Sequence, residues 1–158
     1  MIWRLLMSES YILFEISETT YAIPSGEVQQ MEMIEKITSV PNTPDFVEGV
    51  VYLRGQVVPV INLRQRFGYE KKPYDIRSRL IVINIDQRVV GLSVDSAREF
   101  VSIDEAQILP TPEDIKIASG DYLSGMVMLN ERLTLIINLR SLLKYQESDE
   151  LQFAIKKE

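Results

Sequence analysis

Two small β-barrels packed on one another are what this sequence predicts: a mainly β chain with a few short helices, one of them near the C-terminus. Three observations predict it. The chain repeats itself. Its apolar runs are short and rich in β-forming residues. Turn residues separate those runs at a regular spacing.

The repeat is read directly. The segment from Phe46 to Arg64 aligns without a gap on Tyr122 to Arg140, at an offset of 76 residues. Seven of its 19 positions are identical: Gly49/Gly125, Val51/Val127, Leu53/Leu129, Ile61/Ile137, Asn62/Asn138, Leu63/Leu139 and Arg64/Arg140. Upstream the match continues at an offset of 69, pairing Ile16 with Ile85, Ile23 with Leu92, Val28 with Ala97 and Pro41 with Pro110. The offsets differ by seven, so a seven-residue insertion falls between Pro110 and Tyr122, where the composition reads as a loop.

Each copy reads as five strands. Tyr11–Ile16 and Leu80–Ile85 are β-forming runs, and Thr19-Thr20 and Asp86-Gln87 mark tight turns into Tyr21–Ile23 and Val89–Val94. Glu27–Ile34 and Ala97–Ile103 give the third strands. Val47–Leu53 and Gln56–Ile61 stand at hairpin spacing around Arg54-Gly55, and Leu123–Leu129 and Leu133–Ile137 repeat this around Asn130-Glu131. Pro59 requires an edge strand or a bulge, because it donates nothing to a sheet ladder. Helix signals are few. Thr43-Pro44-Asp45-Phe46 fits a helix start, and Asn62 and Asn138 are N-caps for short helices. Gly68 ends the first of these, and Leu139, Leu142 and Leu143 form one apolar face on the second.

Two strand-rich units of this length fit barrels of SH3 or OB size, and neither buries much core alone. The expected organisation is a single domain over 8–146. Barrel 1 spans about 11–68 and barrel 2 about 78–146, joined by the polar segment Tyr69–Arg79, with flexible ends at 1–7 and 147–158. Met7, followed by polar Ser8-Glu9-Ser10, offers an alternative start.

Composition excludes several chemistries. The 158 residues contain no Cys and no His, which removes disulfides, thiolate catalysis, Cys or His zinc sites and Ser-His-Asp systems. The formal net charge of −6 disfavours a surface that tracks nucleic-acid phosphates. No apolar run approaches the ~20 residues of a membrane span, and the apolar N-terminal stretch is too short for a secretory signal. The cytoplasm is the expected compartment.

Candidate chemistry is sparse. Leu92-Ser93-Val94-Asp95-Ser96-Ala97 has the look of an aspartic-protease loop, but such enzymes need two carboxyls sharing a proton, and the repeat partner of Asp95 is Gly26. A homodimer would have to supply the pair. Glu113-Asp114 and Asp104-Glu105 read as solvated charge, not metal ligands, and Arg64, Arg66, Lys71 and Lys72 as a solvated helix face and linker. Met31 and Met33 share one strand face, and Met126 and Met128 another, a spacing that suits core filling or an adaptable docking surface.

The run Phe46-Val-Glu-Gly-Val-Val-Tyr-Leu-Arg-Gly-Gln-Val-Val-Pro-Val-Ile-Asn-Leu-Arg64 resembles the signature of the CheW-like family, the bacterial chemotaxis coupling proteins. Tyr21-Ala-Ile-Pro24, Val40 to Phe46, Gln87 to Asp95 and Tyr122-Leu-Ser-Gly125 support it, so the resemblance spans roughly residues 10–145. It implies two packed SH3-like five-stranded barrels and a non-enzymatic adaptor without a cofactor. The implied partners are the regulatory domain of the chemotaxis histidine kinase CheA, itself built like the adaptor and docking barrel to barrel, and the cytoplasmic tips of chemoreceptors. No nucleic-acid partner and no direct membrane insertion are implied; recruitment to receptor arrays runs through the partners.

Carried over by position, the receptor groove falls on Ile12, Ser25, Val28 and Met31, with Arg54 nearby. The kinase surface falls on a barrel end without named residues. Two positions depart from the family pattern. Gln30 stands where Glu is common, which leaves Glu32 as the substitute partner for Arg54, and Ser25 stands where apolar residues are common. The alternatives are a related two-barrel binding module for another kinase or receptor array, and a dimeric aspartic protease using Asp95.

Overall fold

The computed structural model describes residues 8–143, so the expected flexible ends at 1–7 and 147–158 lie outside the described residues. Ten strands form. They are β1 (Ser8–Ile16), β2 (Thr19–Pro24), β3 (Val28–Met33), β4 (Val47–Leu53), β5 (Gln56–Asn62), β6 (Arg79–Ile85), β7 (Arg88–Val94), β8 (Ser96–Asp104), β9 (Leu123–Leu129) and β10 (Arg132–Ile137). The helices are short: α1 (Leu63–Arg66), α2 (Glu113–Ala118), 3-10 turns at Ser25–Glu27 and Glu105–Gln107, and a helical segment over 139–143. Asn62 Oδ1 accepts from the Gln65 amide and Asn138 Oδ1 from the Ser141 amide, so both repeat asparagines cap as expected.

The strands form two five-stranded sheets, ordered β8-β1-β2-β10-β9 and β3-β6-β7-β5-β4. This corrects the expected barrels at 11–68 and 78–146. One barrel is the contiguous stretch β3–β7; the other joins β1 and β2 to β8–β10 across it. The two copies of the repeat thus exchange their first two strands. The β7–β8 connection shows why. It is Asp95 alone, whereas a strand needs about two residues to turn back into its own sheet. The chain therefore runs on into the other barrel. The exchange is reciprocal in register, with Ala22 opposite Ile136 in one parallel pair and Gly91 opposite Val60 in the other, which are repeat-equivalent positions.

Each barrel closes through one backbone bridge, Thr38 to Val50 and Leu109 to Met126. The crossing segment lies against a glycine in both cases. A Cβ at Gly49 would stand 2.0 Å from the Thr38 carbonyl oxygen, and one at Gly125 would stand 2.7 Å from Ile108 Cγ2. That close approach accounts for Gly at this position in both copies.

Period-two alternation sorts the apolar residues into three layers. On β1, Tyr11 and Leu13 face the interior of their own barrel, while Ile12, Phe14 and Ile16 face the other barrel. On β6, Leu80 and Val82 face inward, and Ile81, Ile83 and Ile85 face across. The inter-barrel layer is the largest and also takes Tyr21, Ile23, Ile61, Leu63, Leu92, Leu139 and Leu142. Strands buried on both faces read as continuous apolar runs, which is how β1 and β6 look in the sequence.

Several local expectations are corrected. The first hairpin turns at Ser17-Glu18, not Thr19-Thr20, which places it opposite Asp86-Gln87 in the repeat. Thr43 to Phe46 forms turns and no helix, and the inserted loop carries α2. Pro59 lies on β5, an inner strand, but its parallel pairing with β7 begins only at Val60, so the missing N–H leaves no gap in that ladder.

All four two-residue hairpin turns have positive φ at both positions, and seven of those eight residues are not glycine. Left-handed backbone costs a side-chain-bearing residue on the order of 1 kcal/mol. Glu131→Gly, creating the Asn-Gly pair favoured in such turns, is expected to stabilise the chain by about 0.5–1 kcal/mol. Thermal unfolding checks this as a rise in Tm of about 1–4 °C.

Candidate functional site

The candidate groove is built on β3, an edge strand. A register shift between Val28 and Gln30 in its pairing with β6 changes the strand's parity there. Val28 and Met31, three residues apart, therefore lie on one face, opposite Ile83 and Ile81. Those isoleucines belong to the inter-barrel layer, so the face of β3 continues that layer to the rim of the molecule. Val28 and Met31 pack against the shared core on their inner side and are half-exposed. Met33 follows on the same face and is 56% exposed. Ser25 sits half-buried in the 3-10 turn that leads into the strand.

Two sequence-derived assignments change. Ile12 is fully buried in the shared core, so it supports this face from within and is not a contact residue. Gln30 and Glu32 pair with Val82 and Leu80, residues of the barrel interior, and so lie on the opposite face from Val28 and Met31. No ion pair joins Glu32 to Arg54 among the described residues; Arg54 is exposed at the tip of the β4–β5 hairpin, with φ of 48°.

The repeat reveals exposed apolar residues, of which the sequence reading singled out only Met128. The counterpart of Met31 is Phe100, which pairs with Ile12 and is 65% exposed. On the outer face of the β4–β5 hairpin, Tyr52 pairs with Val57; on the β9–β10 hairpin, Met128 pairs with Leu133 at equivalent positions. All four are exposed. The signal was available in the 69- and 76-residue offsets, read for surface positions as well as for strands.

Several charged residues near the joint between the barrels are tied internally. Asp95 Oδ2 accepts from Arg64 Nη1 at 2.5 Å and from the Ser17 amide at 2.8 Å, joining α1 to the β1–β2 turn of the other barrel. Asp95 therefore faces donors, not a second carboxyl. The Glu15 carboxylate lies 3.0 Å from Arg98 and 3.2 Å from Arg132, with Arg77 of the linker at 3.9 Å. Arg66 stacks between the Phe46 and Tyr122 rings, at 4.7 and 4.9 Å. The basic residues Arg64, Arg66 and Lys71 are thus spent on partners within the chain; Lys71 lies 3.7 Å from Glu48. No group of His, Cys, Asp and Glu suited to a metal ion occurs among the described residues.

The linker is pinned by Tyr74, whose hydroxyl donates to Glu48 Oε1 at 2.5 Å and lies 3.0 Å from Ser93 Oγ, while Asn62 Nδ2 donates to Glu48 at 2.7 Å. Burial, reinforced by the Glu48 carboxylate, pushes the Tyr74 hydroxyl well above its ordinary value of 10.0. The folded pKa is raised, so this contribution is complete below the unfolded value and is lost as the pH rises above it. Tyr74→Phe is expected to cost about 1 kcal/mol at neutral pH. It should also make the alkaline loss of stability above pH 10.0 shallower. Denaturant titrations on either side of that pH check both statements.

The fold and site together define a double-barrel protein with a half-open apolar seam along an edge strand. The CheW-like domain model matches residues 10–147, and the chain belongs to this family. It is 35% identical to "Chemotaxis protein CheW" of Klebsiella aerogenes over 141 residues, covering 89% of this chain and 85% of that protein. It is 31% identical to the protein of the same name from Bacillus subtilis, covering 89% and 90% of the two chains. The crystal structure of the scaffolding protein TtCheW from Thermoanaerobacter tengcongensis superposes with a TM-score of 0.79 at 33% identity, covering 86% of this chain and 92% of that one. No helix among the described residues is long and apolar enough to cross a membrane.

Proposed function

We propose that this chain is a non-catalytic adaptor that couples chemoreceptor cytoplasmic tips to the chemotaxis histidine kinase CheA, and that it works in the cytoplasm, held at receptor arrays by its partners. The observation that carries the reading is the partly open apolar face of edge strand β3, in a chain of the CheW-like family. An amphipathic receptor helix lays its apolar side on such a face, with Val28 and Met31 as the contact and Ser25 at its entry. Arg54 has an exposed guanidinium available to a receptor carboxylate. Ile12 holds the face in shape from below. The kinase's regulatory domain, built like the adaptor, docks on a barrel end.

Val28→Glu tests the groove. A charge at the centre of the docking face is expected to weaken binding of a receptor-tip helical hairpin at least ~10-fold. Kinase-domain binding should be retained, and Tm should stay within a few degrees, because Val28 is only half-buried. Unchanged receptor binding, or loss of the thermal transition, contradicts the assignment.

A further inference from the structure

We propose that Met33 is a reversible oxidation site that controls the β3 groove, an inference that rests on the adaptor reading. The chain has no cysteine, so methionine thioethers are its oxidisable sulfur. The four described methionines all lie on edge strands, Met31 and Met33 on β3 and Met126 and Met128 on β9. Each pair holds one half-buried and one open member: Met33 and Met128 are both 56% exposed. Oxidation needs access of the oxidant to sulfur, so exposure orders the four sites. Met33 continues the apolar face formed by Val28 and Met31, whereas its repeat counterpart is Ser102, which offers no sulfur.

The chemistry is a two-electron transfer from hydrogen peroxide. A thioether lone pair attacks one peroxide oxygen, the S–O bond forms as the O–O bond breaks, and the proton on the transferred oxygen passes to the departing hydroxide, which leaves as water. Sulfur is oxidised and peroxide reduced. A dithiol-dependent methionine sulfoxide reductase returns the thioether, with water and a disulfide as products. The sulfoxide oxygen makes a polar acceptor of a side chain that otherwise extends an apolar docking face. Met33 is exposed, so the change leaves the core intact.

The test exposes the whole chain to graded peroxide and maps sulfoxides by peptide mass spectrometry. Met33 and Met128 should react at least ~5-fold faster than Met31 and Met126, with the thermal transition retained. Titration with a receptor-tip helical hairpin should then show about tenfold weaker binding, restored by the reductase. The variant Met33→Leu, compared with and without peroxide, should show no such drop even though its Met128 is oxidised. Equal rates at Met31 and Met33, unchanged affinity with Met33 oxidised, or an equal drop in Met33→Leu each overturns the proposal. Absence of receptor-tip binding before oxidation contradicts the adaptor reading and the regulatory role with it, while the order of sulfoxide formation still decides the site.

Discussion

Residues 25–95 expressed alone are expected to show no cooperative thermal transition, although they contain all five strands of one barrel. The barrel's own interior is small, with Val58, Val60, Leu80 and Val82 as its buried members. Its other face carries Ile61, Leu63, Ile81, Ile83, Ile85, Val90, Leu92 and Val94 into the shared layer, and the cut uncovers them all. At about 1.5–3 kcal/mol for each fully buried side chain, the loss is on the order of 10–20 kcal/mol. That equals or exceeds the whole stability of an ordinary domain, about 5–15 kcal/mol. Circular dichroism melts of this fragment, the fragment 11–68 and the whole chain would decide the matter. A two-state melt of 25–95 near the Tm of the whole chain would show that the shared layer is dispensable. A folded 11–68 would restore the sequential barrels that the strand exchange rules out.

Gly49→Ala is the second large effect. The new Cβ would stand 2.0 Å from the Thr38 carbonyl oxygen and 2.7 Å from its carbonyl carbon. Both atoms are backbone, held by the reciprocal Thr38–Val50 hydrogen bonds of 2.9 Å, so nothing flexible can yield. The φ of +149° adds strain for any side chain. A loss of about 3 kcal/mol or more is expected, read as a Tm lowered by roughly 6–12 °C. Gly26→Ala is the control, since its Cβ would meet nothing within 4 Å and its φ is not positive. Equal melting of both variants would remove barrel closure as the reason for glycine at position 49.

The strands, three of the four hairpin turns and both asparagine caps were legible in the sequence because each depends on neighbours in the chain. Runs of β-forming residues placed Tyr11 to Ile16 and Leu80 to Ile85, hairpin spacing placed Arg54-Gly55, and the capping oxygen of Asn62 accepts from Gln65, three residues on. The exchange of strands between copies was not legible. A duplicated sequence pairs equally well within or between copies on pattern alone, and the choice turns on the one-residue β7–β8 connection. The groove was half legible. Val28 and Met31 share a face only because the bulge near Gln29 resets the strand's parity, which no period-two count detects. Ile12 was misplaced because β1 is covered on both sides, and an apolar residue on such a strand has no open face to offer.

The central claim is the adaptor role, and the measurement that meets it most directly is a calorimetric titration of the whole chain with the isolated regulatory domain of its organism's chemotaxis kinase. The account predicts saturable 1:1 binding at micromolar or tighter affinity, retained in Val28→Glu. No heat of binding, with both proteins shown folded by their thermal transitions, would contradict it and leave a double barrel that serves a different partner.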